Sequence, residues 1–309
     1  MSIVGAFIMP HPPVILPEVG RGREREIAAT IRAFEICSDR LRALAPETVV
    51  VVSPHATSYA DYFHISPGRE AVGDMARFGA PEAALRVRYD EALVQAIAKA
   101  AARANVPAGT LGEREKDLDH GAFVPLYMVR DAYPDAKIVR IGLSGLSPLD
   151  HYRLGAAIAE AAGALNRRVA LIASGDLSHK LTADGPYGFA PEGAEYDGRV
   201  TRAMSSGDFL DFLTASPELV EAAAACGTGS FQIMAGAMDG ISVKPELLSY
   251  EGPFGVGYAV AAFETLEPDE TRRFAEAYLL GETDRLARIR SAESGIVRLA
   301  RSALELYVR

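Results

Sequence analysis

Short runs of apolar and β-branched residues alternate with longer segments of helical periodicity, and this alternation constrains the fold more than any other feature of the chain. Most of the runs show no polar alternation, which is typical of strands buried on both faces. They lie at 3–9, 49–52, 137–143, 168–173 and 256–263. Repeated strand–helix units predict a three-layer α/β/α fold with a mixed, largely parallel central sheet.

Composition indicates the class of protein and the cellular compartment. Hydrophobic residues make up 49% of the chain, and no apolar run reaches the roughly 18 residues that span a bilayer, so we expect a globular protein with no membrane segment. A net charge of -9 and the lack of a Lys/Arg run argue against a nucleic-acid surface. The two cysteines, Cys37 and Cys226, form no CxxC motif, which favours a reducing cytoplasm.

The hydrophobic pattern divides the chain into a large and a small region. We expect one α/β domain over residues 1–266 and a C-terminal helical extension over 267–309, with amphipathic helices at 268–280 and 283–307. Residues 57–88 lack a clear period and are expected to form a covering loop that includes a hairpin.

Three of the predicted strands end within a few residues of a histidine. His11 lies among three prolines, His55 follows Ser53-Pro54, and His179 follows a Ser-Gly-Asp turn. If the strands are parallel neighbours, their carboxyl ends share one edge of the sheet and the imidazoles converge there. His120 adds a fourth imidazole from its own loop. Imidazole is both the commonest metal ligand and the usual general base, so the sequence predicts a metal site at this edge.

The remaining candidates are assigned from their local surroundings. Asp176, close to His179, is expected to orient it and to raise its pKa. His64 is expected at the surface or in a cavity wall, and His151, in the first turn of a helix, is expected to be solvated or to cap that helix. Cys37 lies close to a helical apolar stripe and is expected in the core.

Taken together, the histidine motifs resemble those of the class III extradiol ring-cleavage dioxygenases, of which protocatechuate 4,5-dioxygenase catalytic subunits are the type case. The resemblance extends over roughly residues 1–265 and also takes in the Memo proteins and the AmmeMemoRadiSam system protein B group. Residues 291–309 resemble the opening helix of the AmmeMemoRadiSam system protein A. The motifs are Met9-Pro10-His11-Pro12-Pro13, Ser53-Pro54-His55, Asp119-His120-Gly121 with Pro125-Leu126, and Gly175-Asp176-Leu177-Ser178-His179.

The resemblance implies a non-haem Fe(II) site at which a catechol-like or aminophenol-like substrate and O₂ bind side by side. His11 and His55 match the two histidine ligands of the family. His179 matches the base that takes the catechol proton, and His120 matches the residue that hydrogen-bonds the substrate. Asp176 belongs to the same motif as His179 and is grouped with the catalytic residues.

The third ligand is where the chain departs from the dioxygenases. Their glutamate falls in the region that here contains Cys226-Gly227, and no acid stands there. Memo proteins have a Cys-Gly pair at the comparable place, so the resemblance implies Cys226 as the third ligand. Glu251 is the alternative, since carboxylate is the usual third donor, and a buried inert cysteine is a third interpretation. A thiolate ligand would shift the metal preference toward zinc or copper.

Two functions therefore stay open at this stage. The first is Fe(II)-dependent extradiol cleavage of an aromatic ring. The second is a Memo-like metal-binding protein without ring cleavage that acts in redox or radical-SAM-associated protein chemistry. A serine hydrolase is disfavoured because Ser178 and His179 are adjacent, and neighbouring side chains diverge. We expect a homo-oligomer, with a dimer favoured.

Overall fold

Residues 2–308 are described by a computed structural model. Its contacts divide it into two compact units, with the boundary between Arg272 and Arg273. The larger unit contains all ten strands found in the described residues. These are β1 (Ile3–Met9), β2 (Thr48–Ser53), β3 (Phe63–His64), β4 (Glu70–Met75), β5 (Ala80–Arg88), β6 (Ala108–Gly109), β7 (Lys137–Gly142), β8 (Val169–Ser174), β9 (Ile241–Glu251) and β10 (Tyr258–Pro268).

Nine α-helices of the described residues lie in the larger unit and two in the smaller one. They are α1 (Pro17–Gly20), α2 (Ala28–Leu44), α3 (Glu91–Arg103), α4 (His120–Met128), α5 (Pro148–Ala164), α6 (Pro191–Ser206), α7 (Leu210–Thr214), α8 (Pro217–Ala223), α9 (Thr228–Ala237), α10 (Phe274–Ser291) and α11 (Gly295–Val308).

Six strands form the central sheet in the order β7-β2-β8-β1-β10-β9. The first four are parallel to one another, β10 runs antiparallel to β1, and β9 runs antiparallel to β10. The predicted mixed, largely parallel sheet is therefore confirmed. Strands β1, β2 and β8 are buried along their whole length, as their continuous apolar sequences predict. Because they are neighbours, their carboxyl ends meet at one edge.

Helices cover both faces of this sheet. On one face, Phe34 and Cys37 of α2 and Phe123 of α4 belong to the same buried cluster as Val49 and Val51. Cys37 is therefore a core residue, as expected.

Helices α5 and α9 cover the other face and approach at backbone distance. A Cβ at Gly236 would lie 1.8 Å from the Tyr152 carbonyl oxygen, and one at Gly155 would lie 1.9 Å from the Ile233 carbonyl oxygen. Only glycine allows this contact, so these two positions set how closely α5 and α9 can pack against each other.

Two parts of the large unit bear on the predicted secondary structure, one against it and one in agreement. Strand β9, which continues to Glu251, is absent from the strands that the sequence predicts. This edge strand is only partly buried and contains Lys244 and Pro245, so it lacks the apolar run that marks the inner strands. The segment 57–88 does contain a hairpin, formed by β4 and β5.

The smaller unit consists of α10 and α11. The sequence predicted a first helix at 268–280 with a break near Gly281, whereas β10 extends to Pro268 and α10 runs through Gly281. A glycine inside a helix costs only about 1 kcal/mol and does not by itself end one. Glu293, in the true break, forms an ion pair of 2.9 Å with Arg301 of α11. Among the described residues, no helix has the length and apolarity needed to cross a membrane.

Candidate metal centre

Three possible metal-binding atoms converge at the carboxyl edge of the sheet. His11 follows β1, His55 follows β2, and Cys226 precedes α9. The Nε2 atoms of His11 and His55 are 3.0 Å apart, and the Cys226 Sγ lies 3.7 Å from His11 Nε2. All three donor atoms lie within 4.8 Å of one another. The strand order therefore brings together residues that are up to 215 positions apart in the chain.

Ser174, the last residue of β8, fixes the orientation of His11. Its Oγ donates to the Gly121 carbonyl oxygen at 2.6 Å and lies 2.8 Å from His11 Nδ1. Because its only proton is used on Gly121, the serine oxygen must accept from Nδ1–H. His11 Nε2 then carries the lone pair that can bind a metal ion, and partners of this kind commonly orient metal-binding histidines.

The backbone of Asp176 holds the thiol of Cys226 and the amide of Gly227. The Asp176 amide is 3.3 Å from the Cys226 Sγ, and the Gly227 amide donates to the Asp176 carbonyl oxygen at 3.1 Å. The two loops touch at Gly175, where a Cβ would lie 2.2 Å from the Gly227 Cα. This close approach of the two loops places the Cys226 thiol beside the histidines, and only glycine at position 175 leaves room for the Gly227 backbone.

His55 and His120 form a stacked pair, with ring centroids 4.2 Å apart and planes inclined by 25°. Asp119 holds both: its Oδ1 accepts from the Ala122 amide at 3.0 Å, which caps α4 directly before His120. The same oxygen accepts from Ser53 Oγ, which in turn accepts from the His55 amide at 3.2 Å.

The structure corrects the expected pairing of Asp176 with His179. The Asp176 carboxylate accepts from the His11 amide at 2.8 Å, and its second oxygen lies 3.9 Å from His11 Nε2. His179 is anchored by its own amide, which donates to the Ala223 carbonyl oxygen at 3.0 Å, and its ring meets Tyr187 edge to face. Burial lowers the pKa of His179, so the predicted increase is wrong. The turn after Gly175 points the carboxylate toward β1 instead.

Burial also governs the other ionisable groups of the site. It lowers the pKa of His55 to about 4, with a smaller contribution from His120, and it lowers the pKa of His11 and of His120. The imidazoles are therefore neutral at physiological pH, which is the form that binds metal ions. Burial raises the pKa of Asp176 to about 7, opposed by the hydrogen bond from His11.

A cavity of about 930 Å³ opens onto these side chains. It is within the usual size range of small-molecule sites. It presents four imidazoles and the carboxyl group of Asp176, and its walls are mostly apolar or aromatic, with Arg23 and Asp184 as charged exceptions. It is lined by His11, Pro12, Pro13, Val14, Arg23, His55, Phe78, His120, Asp176, His179, Thr182, Asp184, Pro186, Tyr187, Pro253, Phe254, Val256 and Tyr258.

Three other candidates lie elsewhere. His64 is 1% exposed on β3 and does not line this cavity, so its expected surface or wall position is wrong. His151 is buried rather than solvated, and its Nδ1 lies 3.0 Å from the Ser147 carbonyl oxygen of its own helix start. The Glu251 carboxylate accepts from both the amide and the hydroxyl of Thr30, at 2.6 and 2.7 Å, so it is bound to α2.

Sequence reasoning missed the residues that support the histidines. Ser174 and Ser53 are the last residues of buried strands, and a small hydroxyl residue at that point, directly before a histidine loop, was the available signal. Tyr258 and Phe254 of the cavity wall carried none, because nothing in their local sequence shows that they lie beside the histidines.

Comparison with known proteins agrees with this geometry. Residues 5–261 match the family model described as the catalytic LigB subunit of aromatic ring-opening dioxygenase. The chain is 34% identical over 315 aligned positions to Protein CA_C1420 of Clostridium acetobutylicum, covering all of this chain and 67% of that protein. It is 35% identical over 102 positions to the 4,5-DOPA dioxygenase extradiol of Beta vulgaris, covering 31% of this chain and 36% of that protein.

A solved structure shares the fold. The crystal structure of an uncharacterized protein of Escherichia coli K12, JW3007, superimposes with a TM-score of 0.52 at 17% sequence identity. The match covers 84% of this chain and 99% of that one.

Proposed function

Because the chain belongs to the family of catalytic LigB subunits of aromatic ring-opening dioxygenases, we propose that it opens a catechol-like or aminophenol-like ring with O₂, using Fe(II). The observation that supports this most is the convergence of His11, His55 and Cys226, because both histidines line a cavity that also presents His120 and His179. Donor atoms and proton-transfer groups thus face the same space.

The donor set fits a divalent transition-metal ion. Imidazole nitrogens bind such ions at about 2.0–2.1 Å, and the separation of 3.0 Å between the two Nε2 atoms lets both reach one ion. Ser174 already directs the His11 lone pair toward this point. When bound, iron would supply the redox chemistry that couples O₂ to an electron-rich ring.

The protein's own groups would bind and deprotonate the ring. His179 is neutral and lines the cavity, so it can accept a proton from a ring hydroxyl. His120, whose ring stacks on that of His55, can hydrogen-bond a ring oxygen of the substrate. Phe254 and Tyr258 provide aromatic walls for a flat substrate. Pro12 and Pro13 also line the cavity, and their rings restrict the backbone after His11.

A second function has a specific observation in its favour. No carboxylate belongs to the three-residue group of convergent donors in the described part of the chain, and Cys226 occupies the third place. Thiolate is a softer ligand than carboxylate and favours zinc or copper over iron. The alternative is therefore a metal-binding protein without ring cleavage that acts in redox or radical-SAM-associated protein chemistry.

Oxygen uptake with a panel of catechols and aminophenols, after anaerobic loading with Fe(II), tests the proposal. We expect uptake that depends on both iron and substrate, and a loss of at least about a hundredfold in His179→Ala with iron retained. His151→Ala is the control, because it removes a buried histidine that does not line the cavity. Iron binding without uptake for any member of the panel would favour the second function, and iron loss in His179→Ala would make His179 a ligand.

A further inference from the structure

Arg140 is the largest of the fully buried side chains, at 1% exposure, and it lies on β7 rather than in the cavity. A buried guanidinium is rare unless its charge and its donors are matched. Its donors are matched by the hydroxyl of Ser66 at 2.7 Å and by the carbonyl oxygens of Asp117 and Glu115 at 2.5 and 2.9 Å. These contacts tie the loop before α4 to the sheet.

The charge of Arg140 is matched by Asp119. The Nη1 atom lies 3.8 Å from Asp119 Oδ2, and the Asp119 side chain is only 6% exposed. That oxygen has no hydrogen-bond partner among the described residues, so the guanidinium is its compensating group. Removing one member of a buried pair leaves an uncompensated charge, which is strongly unfavourable.

The other oxygen of Asp119, Oδ1, is linked to His55 and His120 through hydrogen bonds to neighbouring residues. It caps α4 at the turn that begins with His120, and it holds Ser53, whose Oγ accepts from the His55 amide. The start of α4 packs tightly against Ser53 and His55, since a Cβ at Gly121 would lie 2.5 Å from Ser53 Oγ and 3.1 Å from His55 Cδ2. A shift of Asp119 would therefore move both histidines.

We propose that Arg140 is a positioning residue of the metal centre: it offsets the Asp119 charge and fixes the 115–119 loop, so that His55 and His120 keep their places. The inference rests on the proposed metal site but not on ring cleavage. Residues that orient metal ligands from one contact away typically change metal affinity by about ten- to a hundredfold.

The chain offers a control of the same design. Asp90 is fully buried, caps α3 through the Leu93 amide, accepts from Thr48 Oγ1 at 2.6 Å, and lies 3.5 Å from Arg167. Thr48 begins the strand that Ser53 ends. Arg167→Met and Thr48→Ala therefore break equivalent contacts at the edge without histidines.

Anaerobic titration with Co(II), followed through the thiolate-to-cobalt absorption, tests the proposal without any assay of turnover. We expect Arg140→Met to weaken Co(II) binding about ten- to a hundredfold, and Arg167→Met to leave it unchanged. The double variant Arg140→Met/Asp119→Asn should recover part of the affinity, because it removes the uncompensated charge while the amide oxygen of residue 119 still accepts the hydrogen bonds from Ala122 and Ser53.

Wild-type Co(II) affinity in Arg140→Met would overturn the proposal, as would an equal loss in Arg167→Met or no recovery in the double variant. If Arg140→Met does not fold, Ser53→Ala against Thr48→Ala decides the matter. We expect weaker Co(II) binding only in Ser53→Ala, and equal affinity in the two would refute the positioning role. If Co(II) binds as expected but no ring is opened, only the proposed catalysis fails.

Discussion

The two ends of strand β2 have the same capping arrangement, but only the carboxyl end carries histidines. At the amino end, Thr48 donates to Asp90, which caps α3 and pairs with Arg167. At the carboxyl end, Ser53 donates to Asp119, which caps α4 and pairs with a buried arginine. Each end thus joins a strand hydroxyl, an N-cap carboxylate and a guanidinium.

The comparison of the two ends separates the contacts that support the fold from those that form the metal site. Hydroxyl, carboxylate and arginine are enough to dock a helix start on a strand end, as the amino end shows. A metal site forms only at the carboxyl edge, where the neighbouring parallel strands β8 and β1 place further side chains close to those that follow β2. Variants at the carboxyl end should therefore alter metal binding, and equivalent variants at the amino end should alter only stability.

The largest expected effect follows from removing a histidine ligand. His55→Ala should reduce the metal content after anaerobic loading and dialysis from one ion per chain to none, because two donors hold an ion far more weakly than three. The fold should survive, since His55 follows the strand in a partly exposed loop. Metal analysis with circular dichroism checks both, and full occupancy would break the contrast between the two ends.

Cys226 and Glu251 give the next contrast. Cys226→Ser should abolish the thiolate-to-cobalt absorption and lower Co(II) affinity, whereas Glu251→Gln should change neither. The reason is that the Glu251 carboxylate is bound to Thr30 on α2. Absorption titrations of the two variants decide between them. Metal loss in Glu251→Gln with wild-type behaviour in Cys226→Ser would restore a carboxylate site of the dioxygenase type.

Ser174→Ala should have a smaller effect. Without the hydroxyl, His11 can place its proton on either ring nitrogen, and only one tautomer binds a metal ion through Nε2. We expect Co(II) affinity to fall about ten- to a hundredfold, as for other residues that orient metal ligands. Unchanged affinity would show that the prolines around His11 are sufficient to orient it.

The smallest effect on the metal is expected from the amino end. Asp90→Ala should lower the free energy of unfolding by about 1–2 kcal/mol through loss of the α3 cap, with unchanged Co(II) affinity. Urea denaturation measures the first quantity and titration the second. A fall in metal affinity comparable to that of Ser174→Ala would mean that the two ends of β2 are coupled.

The sequence predicted the parts of the fold that depend on local hydrophobic pattern. The inner strands β1, β2 and β8 have continuous apolar runs, and their parallel pairing explains why the histidine motifs meet. The edge strand β9 was missed because half-exposed strands with a lysine and a proline lack that pattern. The gap between the two C-terminal helices was predicted at 281–282, inside what is α10 in the structure.

The site was predictable in its histidines but not in the groups that hold them. Asp176 was assigned to His179 from sequence proximity, while its carboxylate bonds to His11, 165 positions away. The pairing of Arg140 with Asp119 was invisible for a similar reason, since it depends on how the start of α4 packs against β7. Burial, which decides the pKa of every histidine in the cluster, is likewise a tertiary property.

Electron paramagnetic resonance of the Fe(II)-loaded protein with nitric oxide, a surrogate for O₂, tests the central claim most directly. The account predicts a high-spin iron–nitrosyl signal that is lost in His11→Ala, persists in Asp90→Ala, and changes shape when a catechol is added, because the substrate and the gas would share the open face of one metal centre. A signal that persists in His11→Ala, or that is insensitive to every catechol tested, would contradict it.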